Sequence, residues 1–351
     1  MPDSSIDKKT QQGTKWSVLT EVGAKVISPI VNMILARLLT PEAFGVVATV
    51  TMITSFADIF SDAGFQKFLI QHDFKNQDDF FKSTTVAFWT NLGISIVAWL
   101  IIFIFSDELA AFVGSPELGC VVWVASLSLP LTSFSSIQMA HYRKNFRFNV
   151  LFKVRMVGAV VPLFVTVPIA YFTRNYWALI LGTLAGNLVN AIILTVWSKW
   201  KPTFYYSITR LKQMFAYSWW VLFESIVVWL TSYIGTFIVS QYLTKTEVGF
   251  YKTGMSTVNQ IISLVTSATS APLFSALSVL KTDGDAFEKI YVRYIRAIST
   301  FVIPLGVGIF LFQDFITYVL LGSQWMQSNR QIMMRSDIKL PQPFASWSNS
   351  L

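Results

Sequence analysis

Polar and charged side chains recur along one face of the first long apolar segment. They lie one to three helical turns apart: Glu21, Lys25, Ser28 and Asn32. On an α-helix this spacing places them within about 40° of one another. Glu21 and Lys25 can pair, which lowers the cost of carrying charge in an apolar environment. The stripe predicts the lining of a polar pathway. The alternative is that Glu21 lies near the edge of the segment and Lys25 extends its amine to the interface.

Two acids in later apolar segments are further candidates, because an ionisable side chain in such a segment marks function by default. Asp58 shares a polar face of the second segment with Thr51, Ser55 and Asp62. Asp62 lies at the end of that segment, so the deeper Asp58 is the better candidate. Glu224 is the acid within the seventh segment. It is flanked by Trp219, Trp220 and Trp229, which mark an interface or helix packing more often than a ligand platform.

The elements that must position these residues are membrane helices. Mean hydropathy is +0.53, and only 13% of residues are charged, whereas a soluble domain has about a quarter. Apolar runs recur that are long enough to cross roughly 30 Å of hydrocarbon, where the backbone must be helical. We predict nine helices, at residues 16–36, 46–64, 84–105, 118–139, 156–172, 178–197, 216–241, 251–275 and 295–320.

Lysines and arginines alternate between the two sides of this arrangement. Most lie in the N-terminal segment, residues 1–15, and in the even-numbered loops. The odd-numbered loops hold Arg37, Arg174, Lys245 and Lys252. The positive-inside rule therefore predicts a cytoplasmic N-terminus. The net charge of +8 reflects this topology, and a nucleic-acid partner is not expected because the basic residues are spread over separate loops.

A weak internal repeat divides the chain. The segment ARLLTPEAFGVVA at 36–48 recurs as SQYLTKTEVGFYK at 240–252, each copy lying between two apolar runs. Six predicted helices, an even number, separate the copies, so both halves have the same orientation in the membrane. The sequence predicts an all-α integral membrane protein with two parallel-repeat lobes of six transmembrane helices. The first lobe spans 16–200, and the second begins at 201.

The second lobe is expected to be incomplete. The fourth helix should recur at 322–343, but that segment carries Arg330, Arg335, Asp337, Lys339, Pro341 and Pro343. A membrane helix does not accommodate this set. We expect the native sequence to end soon after Trp325, which leaves about nine helices, a partial second lobe at 201–325 and a polar tail of non-native appearance at 326–351. The alternative is an intact protein of nine helices.

Several segments together resemble a known family. They are ARLLTPEAFGVVA (36–48), DAGFQKFLIQ (62–71), YWALILGTLAGN (176–187), VGFYKTG (248–254) and APLFSALSVL (271–280). They are similar to the bacterial polysaccharide exporters, the Wzx-like lipid-linked oligosaccharide flippases of the multidrug/oligosaccharidyl-lipid/polysaccharide superfamily, especially the colanic and teichuronic acid exporters. The resemblance covers residues 15 to about 325, and family members have more helices than are predicted here.

The resemblance implies a substrate and a mechanism. The substrate would be a glycan on undecaprenyl diphosphate, moved from the cytoplasmic to the outer leaflet of the bacterial inner membrane by two lobes that rock about a central cavity. Glycosyltransferases and a polymerase of the same pathway would be partners, and no cofactor is implied. On this basis we predict that Lys25 and Arg155 attract the diphosphate and that Asp58 or Glu224 carries a coupling proton.

Other interpretations of the function remain. One is a cation-coupled multidrug exporter on the same fold, and another is a non-functional fragment. A membrane glycosyltransferase or polymerase would be expected to carry a large catalytic loop, and the loops here are short. His72 and His141 lie in loops without an acid–nucleophile arrangement, and the glycines form no phosphate loop. The single Cys120 excludes an intrachain disulfide and a cysteine-based metal cluster. We therefore expect a transporter without a metal site.

Overall fold

The computed structural model describes residues 27, 29–62, 64–145, 147–198, 200–279 and 284–326 of the 351-residue chain. These residues are mostly α-helical, and none of them is in a β-strand. The helices are, in order, α1 (Pro29–Leu38), α2 (Pro41–Asp62), α3 (Phe65–Gln71), α4 (Gln77–Ile104), α5 (Ser106–Phe112), α6 (Gly119–Ser126), α7 (Ser128–Lys144), α8 (Phe148–Thr173), α9 (Trp177–Trp197), α10 (Ile208–Tyr242), α11 (Lys245–Val279), α12 (Gly284–Leu311) and α13 (Gln313–Leu320).

Seven helical stretches in the described part of the chain are long and apolar enough to cross a membrane. They are Pro41–Ser61, Gln77–Ile104, Pro116–Lys144, Asn149–Thr173, Trp177–Trp197, Ile208–Tyr242 and Val292–Leu311. They coincide with seven of the nine predicted helices, so the protein is an all-α integral membrane protein. The predicted helix at 16–36 lies mostly outside the described residues. The one at 251–275 lies within α11.

The boundaries of three predicted helices differ from the structure. The predicted 118–139 helix is interrupted at Leu127, between α6 and α7, because Pro130 has no N–H to offer the carbonyl of Ser126. The predicted 295–320 helix ends at Leu311, and α13 follows as a separate short helix. The seventh begins at Ile208 rather than at 216. Its 35 residues span about 52 Å, so α10 extends beyond the hydrocarbon core.

Large apolar side chains stand on the outer surface of the helices. Phe172 on α8 is 82% exposed and Phe301 on α12 is 70% exposed. Such exposure is unfavourable in water but suits contact with lipid chains.

The two copies of the repeated segment meet where α2 packs against α11. A Cβ atom at Gly45 would overlap the carbonyl oxygen of Lys245, and one at Gly249 would overlap the carbonyl oxygen of Pro41. Gly45 and Gly249 occupy the same position in the two copies, as do Pro41 and Lys245. Each copy therefore makes the same backbone contact with the other, and both contacts require glycine.

Matching contacts flank these glycines. Arg37, at the end of α1, donates a hydrogen bond from Nη2 to the carbonyl of Val319 in α13 at 2.8 Å. Gln241, its counterpart in the second copy, donates from Nε2 to the carbonyl of Phe112, the last residue of α5. Trp325 adds a hydrogen bond from Nε1 to the carbonyl of Ala36 at 2.8 Å and is 1% exposed. The end of each copy's first helix is thus held by a short helix from the other part of the chain.

The backbone has the same geometry immediately before and after the short helices α5 and α13. The helix before each one stops at a phenylalanine with nearly identical dihedrals, Phe105 at φ −105°, ψ 25° and Phe312 at φ −106°, ψ 23°. Each short helix is followed by a glycine of positive φ, Gly114 at 78° and Gly322 at 100°. A 3₁₀ turn then follows, Pro116–Leu118 in one case and Ser323–Trp325 in the other. This local geometry extends the likeness between the two parts of the chain.

The glycine contact can be tested with two substitutions on one helix. Gly249→Ala inserts a methyl group into the backbone of α2 and should lower the free energy of unfolding by about 1–3 kcal/mol, the usual cost of overpacking. At Gly254, also on α11, a Cβ meets nothing within 4 Å, so Gly254→Ala should be neutral or stabilise the helix by up to about 1 kcal/mol. Thermal unfolding in detergent measures both. Equal midpoints for Gly249→Ala and the unmodified chain would contradict the packing described.

Candidate functional site

A polar cleft of about 480 Å³ lies among α2, α4, α7, α8 and α9. From α2 it is lined by Asp58, whose Oδ1 accepts a hydrogen bond from Thr132 Oγ1 at 3.2 Å. From α4 it is lined by Asn91, which is fully buried. Five membrane helices thus present polar side chains to one space, which in a lipid-embedded bundle is unfavourable unless the space holds water or a ligand.

One face of α7 forms a wall of the cleft. Its lining residues are spaced by four, three and four positions: Thr132, Ser136, Met139 and Arg143. This spacing keeps them on one side of a helix. Ser133 and Ser135 also reach the cleft.

The opposite wall comes from α9, which lies against α8 through glycines. A Cβ at Gly182 would overlap the hydroxyl of Thr166 on α8, and one at Gly158 on α8 would overlap the amide of Asn190. Small residues of this kind let two membrane helices approach closely. The close approach brings Asn187 and Asn190 to the cleft, one turn apart on α9.

Two arginines give the rim of the cleft a positive charge. Arg143 lies near the end of α7 and Arg155 near the start of α8, on either side of a short loop that the charge pattern predicts to be cytoplasmic. Arg143 donates from Nη1 to Gln66 Oε1 at 2.7 Å, and Gln66 Nε2 donates to the carbonyl of Ser136 at 2.8 Å. Gln66 thereby orients Arg143 toward the cleft.

A second cavity of about 210 Å³ continues from the first. Both are lined by Asp58, Thr132 and Asn187. The second reaches Thr51, which lies seven residues, or about 10 Å, closer to the start of α2 than Asp58. The polar lining therefore extends from the arginine rim well into the bundle.

The site residues predicted from the sequence do not all lie together in the structure. Arg155 and Asp58 line the same cleft. Asn32 is half-buried on α1 and is not among the residues that line either cavity. Glu21, Lys25 and Ser28 lie outside the described residues.

Glu224 lies elsewhere, on the contact between α10 and α3. Its Oε2 is 3.1 Å from Nζ of Lys67, with side chains 64% and 48% exposed. It is not among the residues lining either cavity. Its neighbour Trp229 donates from Nε1 to Ser55 Oγ at 3.0 Å and packs on Phe56, which joins α10 to α2.

Sequence reasoning missed the asparagines and the α7 wall. Asn187 and Asn190 are amides one turn apart inside an apolar segment, and Asn91 is an amide in another, so the same rule that selected Asp58 could have found them. The hydroxyls of α7 gave a weaker signal, because serine and threonine are common in membrane helices and can bond to their own backbone.

The fold and this cleft define a class: a multi-pass membrane protein whose helical bundle encloses a polar site with a cationic rim. A family model described as "Polysaccharide biosynthesis protein" matches residues 34–330. The chain belongs to that family. No solved structure matches it significantly.

Three relatives illustrate the similarity. The chain is 24% identical over 325 residues to an "Uncharacterized membrane protein in cps region" of Klebsiella pneumoniae, covering 92% of this chain and 66% of the relative. It is 24% identical to the "Succinoglycan biosynthesis transport protein ExoT" of Rhizobium meliloti (strain 1021), covering 91% and 64%. It is 21% identical to the "Lipopolysaccharide biosynthesis protein WzxC" of Escherichia coli (strain K12), covering 92% and 65%. The chain spans just under two thirds of the length of these relatives.

Thiol labelling can test whether water reaches the cleft. Asn187 lines it, whereas the next residue, Leu188, is 47% exposed on the outer surface of α9. In a Cys120→Ser background, Asn187→Cys should react with a charged methanethiosulfonate reagent on the order of tenfold faster than Leu188→Cys, because only a hydrated thiol ionises readily. The labelling rates of the two variants are measured in membrane vesicles. Equal rates would show that the cleft is closed to water.

Proposed function

We propose that the chain acts in polysaccharide export, as a transporter that flips glycan precursors linked to undecaprenyl diphosphate from the cytoplasmic to the outer leaflet of the bacterial inner membrane. Family membership supports this proposal, and so do relatives whose names refer to transport and to polysaccharide synthesis. The function requires glycosyltransferases to supply the substrate and a polymerase to receive it. The transport step itself makes and breaks no covalent bond.

The observation that carries the proposal is the arginine rim of the cleft. A diphosphate that leaves water for a membrane protein loses strongly favourable hydration. Arg143 and Arg155 line one polar space, and guanidinium groups bind phosphate oxygens through paired, charge-assisted hydrogen bonds. With the N-terminus in the cytoplasm, this rim faces the side on which precursors are made.

The proposed movement uses two lobes. The first would span 16–200 and the second would begin at 201. The matching contacts of Gly45 and Gly249, and those of Arg37 and Gln241, support a two-fold relation along the membrane normal. These contacts lie at the predicted outer ends of the helices, where they would close that side in the proposed cycle.

We assign the coupling ion to Asp58 in preference to Glu224. Asp58 lines the cleft, so its protonation would change the charge that the substrate meets. Glu224 pairs with Lys67 on a helix contact, where it is better suited to hold α10 against α3. Lys25 remains a predicted third cation for the diphosphate.

The arginines can be tested by reconstitution. In liposomes, the chain should flip a fluorescent undecaprenyl diphosphate carrying one glucose, measured by a quencher that cannot cross the membrane. Arg143→Gln and Arg155→Gln should each slow the initial rate by about tenfold, since each removes charge-assisted bonds to the diphosphate. Lys153→Gln is the matched control, because Lys153 is exposed on α8 and is not part of the cleft lining. Drug efflux without flipping of the glycolipid would favour the multidrug alternative.

The coupling ion has its own test. With a proton gradient imposed across the liposome membrane, Asp58→Asn should abolish the acceleration of flipping while leaving the basal rate measurable. Glu224→Gln should retain the acceleration. It should lower the free energy of unfolding by roughly 0–1 kcal/mol, the contribution of an exposed ion pair, which appears as a small decrease in the thermal midpoint. Loss of the acceleration in Glu224→Gln alone would transfer the role to that residue.

A further inference from the structure

Of the two polar atoms in the buried Asn91 side chain, only the amide nitrogen makes hydrogen bonds within the described part of the chain. Asn91 Nδ2 donates to Ser136 Oγ at 2.9 Å and to the carbonyl of Ser133 at 3.4 Å, and a carbonyl oxygen can only accept. This fixes the orientation of the amide. Its Oδ1 has no hydrogen-bond partner among the residues that the structure describes. Asn91 is 0% exposed and lines the cleft.

Two more buried oxygens share this condition. In the described part of the chain, Ser133 Oγ and Asn190 Oδ1 are also without a hydrogen-bond partner, and both residues line the cleft. Ser133 is 3% exposed. With Asn91, the three oxygens come from α4, α7 and α9, and the carboxylate of Asp58 adds an acceptor from α2. A buried polar atom left unpaired is unfavourable, so Asn91, Ser133 and Asn190, which form the floor of the cleft, are complementary to a ligand that supplies hydrogen-bond donors. The Ser133 hydroxyl can also donate.

The floor and the rim therefore select different chemistry. The arginines of the rim donate hydrogen bonds to an anion, whereas the oxygens of the floor accept hydrogen bonds from the hydroxyl groups of a ligand. A phosphate at neutral pH has almost no donors for the floor, and a free sugar has no charge for the rim. A sugar joined to a diphosphate presents both, next to each other. The cleft volume of about 480 Å³ also lies in the usual range of small-molecule sites.

We propose that the floor formed by Asn91, Ser133 and Asn190 is a binding site for the hydroxyl groups of the first sugar of the lipid-linked substrate. The diphosphate occupies the arginine rim, and the prenyl chain stays in the lipid. This inference rests on the proposed function and adds to it that the sugar is recognised among α4, α7 and α9.

Binding to the purified chain in lipid nanodiscs tests the site. The probes are undecaprenyl diphosphate alone and undecaprenyl diphosphate carrying one glucose or one galactose. At least one glycosylated probe should bind about tenfold more tightly than the bare carrier, the effect of one to two additional hydrogen bonds. Asn91→Leu and Asn190→Leu should each remove this difference between the glycosylated and the bare carrier.

Gln138 provides the matched control. It is a buried amide on α7, 1% exposed, and its Oε1 also finds no partner among the described residues, but it is not among the residues that line the cleft. Gln138→Leu should keep the preference for a glycosylated probe. Thermal unfolding of every variant identifies loss of structure, and Ser133→Ala, a smaller change in the same floor, replaces Asn91→Leu if that variant does not fold. Ser133→Ala should then reduce the preference.

Each outcome is decisive. If the unmodified chain binds bare and glycosylated carriers equally, the sugar site is wrong and the proposed function stands. If it binds neither, both are wrong. If the floor variants keep the preference, the sugar is recognised elsewhere. If sodium ions raise the thermal midpoint more than potassium ions do, and Asn91→Leu removes that effect, the floor is a cation site and the proposal is overturned.

Discussion

Backbone contact between α2 and α11 constrains how the rest of the chain is arranged. Neither Gly45 nor Gly249 has a side chain, so each helix presents its bare backbone to a carbonyl of the other. The ends of the helices that precede α2 and α11 lie close to this contact. Arg37 reaches α13, and Gln241 reaches α5. The glycine pair thus lies beside the points where these helix ends meet, and the cleft lies at the far end of α2 from that contact.

Polar side chains are tolerated inside this bundle because they are concentrated in one place. The walls of the cleft come from α7 and from the close α8–α9 pair, and the surfaces that face away are apolar, as Phe172 shows. Charge is confined further, with Arg143 and Arg155 at the rim and Asp58 between the two cavities. Such segregation keeps the cost of desolvating polar groups away from the lipid-facing surface.

Seven membrane-spanning helices and the all-α class could be predicted, because hydrophobic runs and backbone satisfaction leave few alternatives in lipid. Arg155 and Asp58 could be found as ionisable groups in or beside apolar segments, and the structure brings them to one cleft. The sequence could not reveal that Glu224 pairs with Lys67, since these residues come from distant segments. Nor could it separate the cleft asparagines from other polar residues, because which face of a helix is lined by neighbours depends on packing angles. The two-lobe arrangement and the role of the first helix stay predictions.

The packing of Gly158 against the amide of Asn190 has a consequence for how such proteins diverge. Gly158 lies on α8 behind the cleft lining, yet any larger residue at that position would push the amide and so reshape the acceptor floor. If the floor binds sugar as proposed, selectivity for a new glycan would then arise from a one-residue change outside the binding surface, with every group that touches the ligand retained. Comparing chemical identity at cleft positions alone would then underestimate how differently two related chains bind.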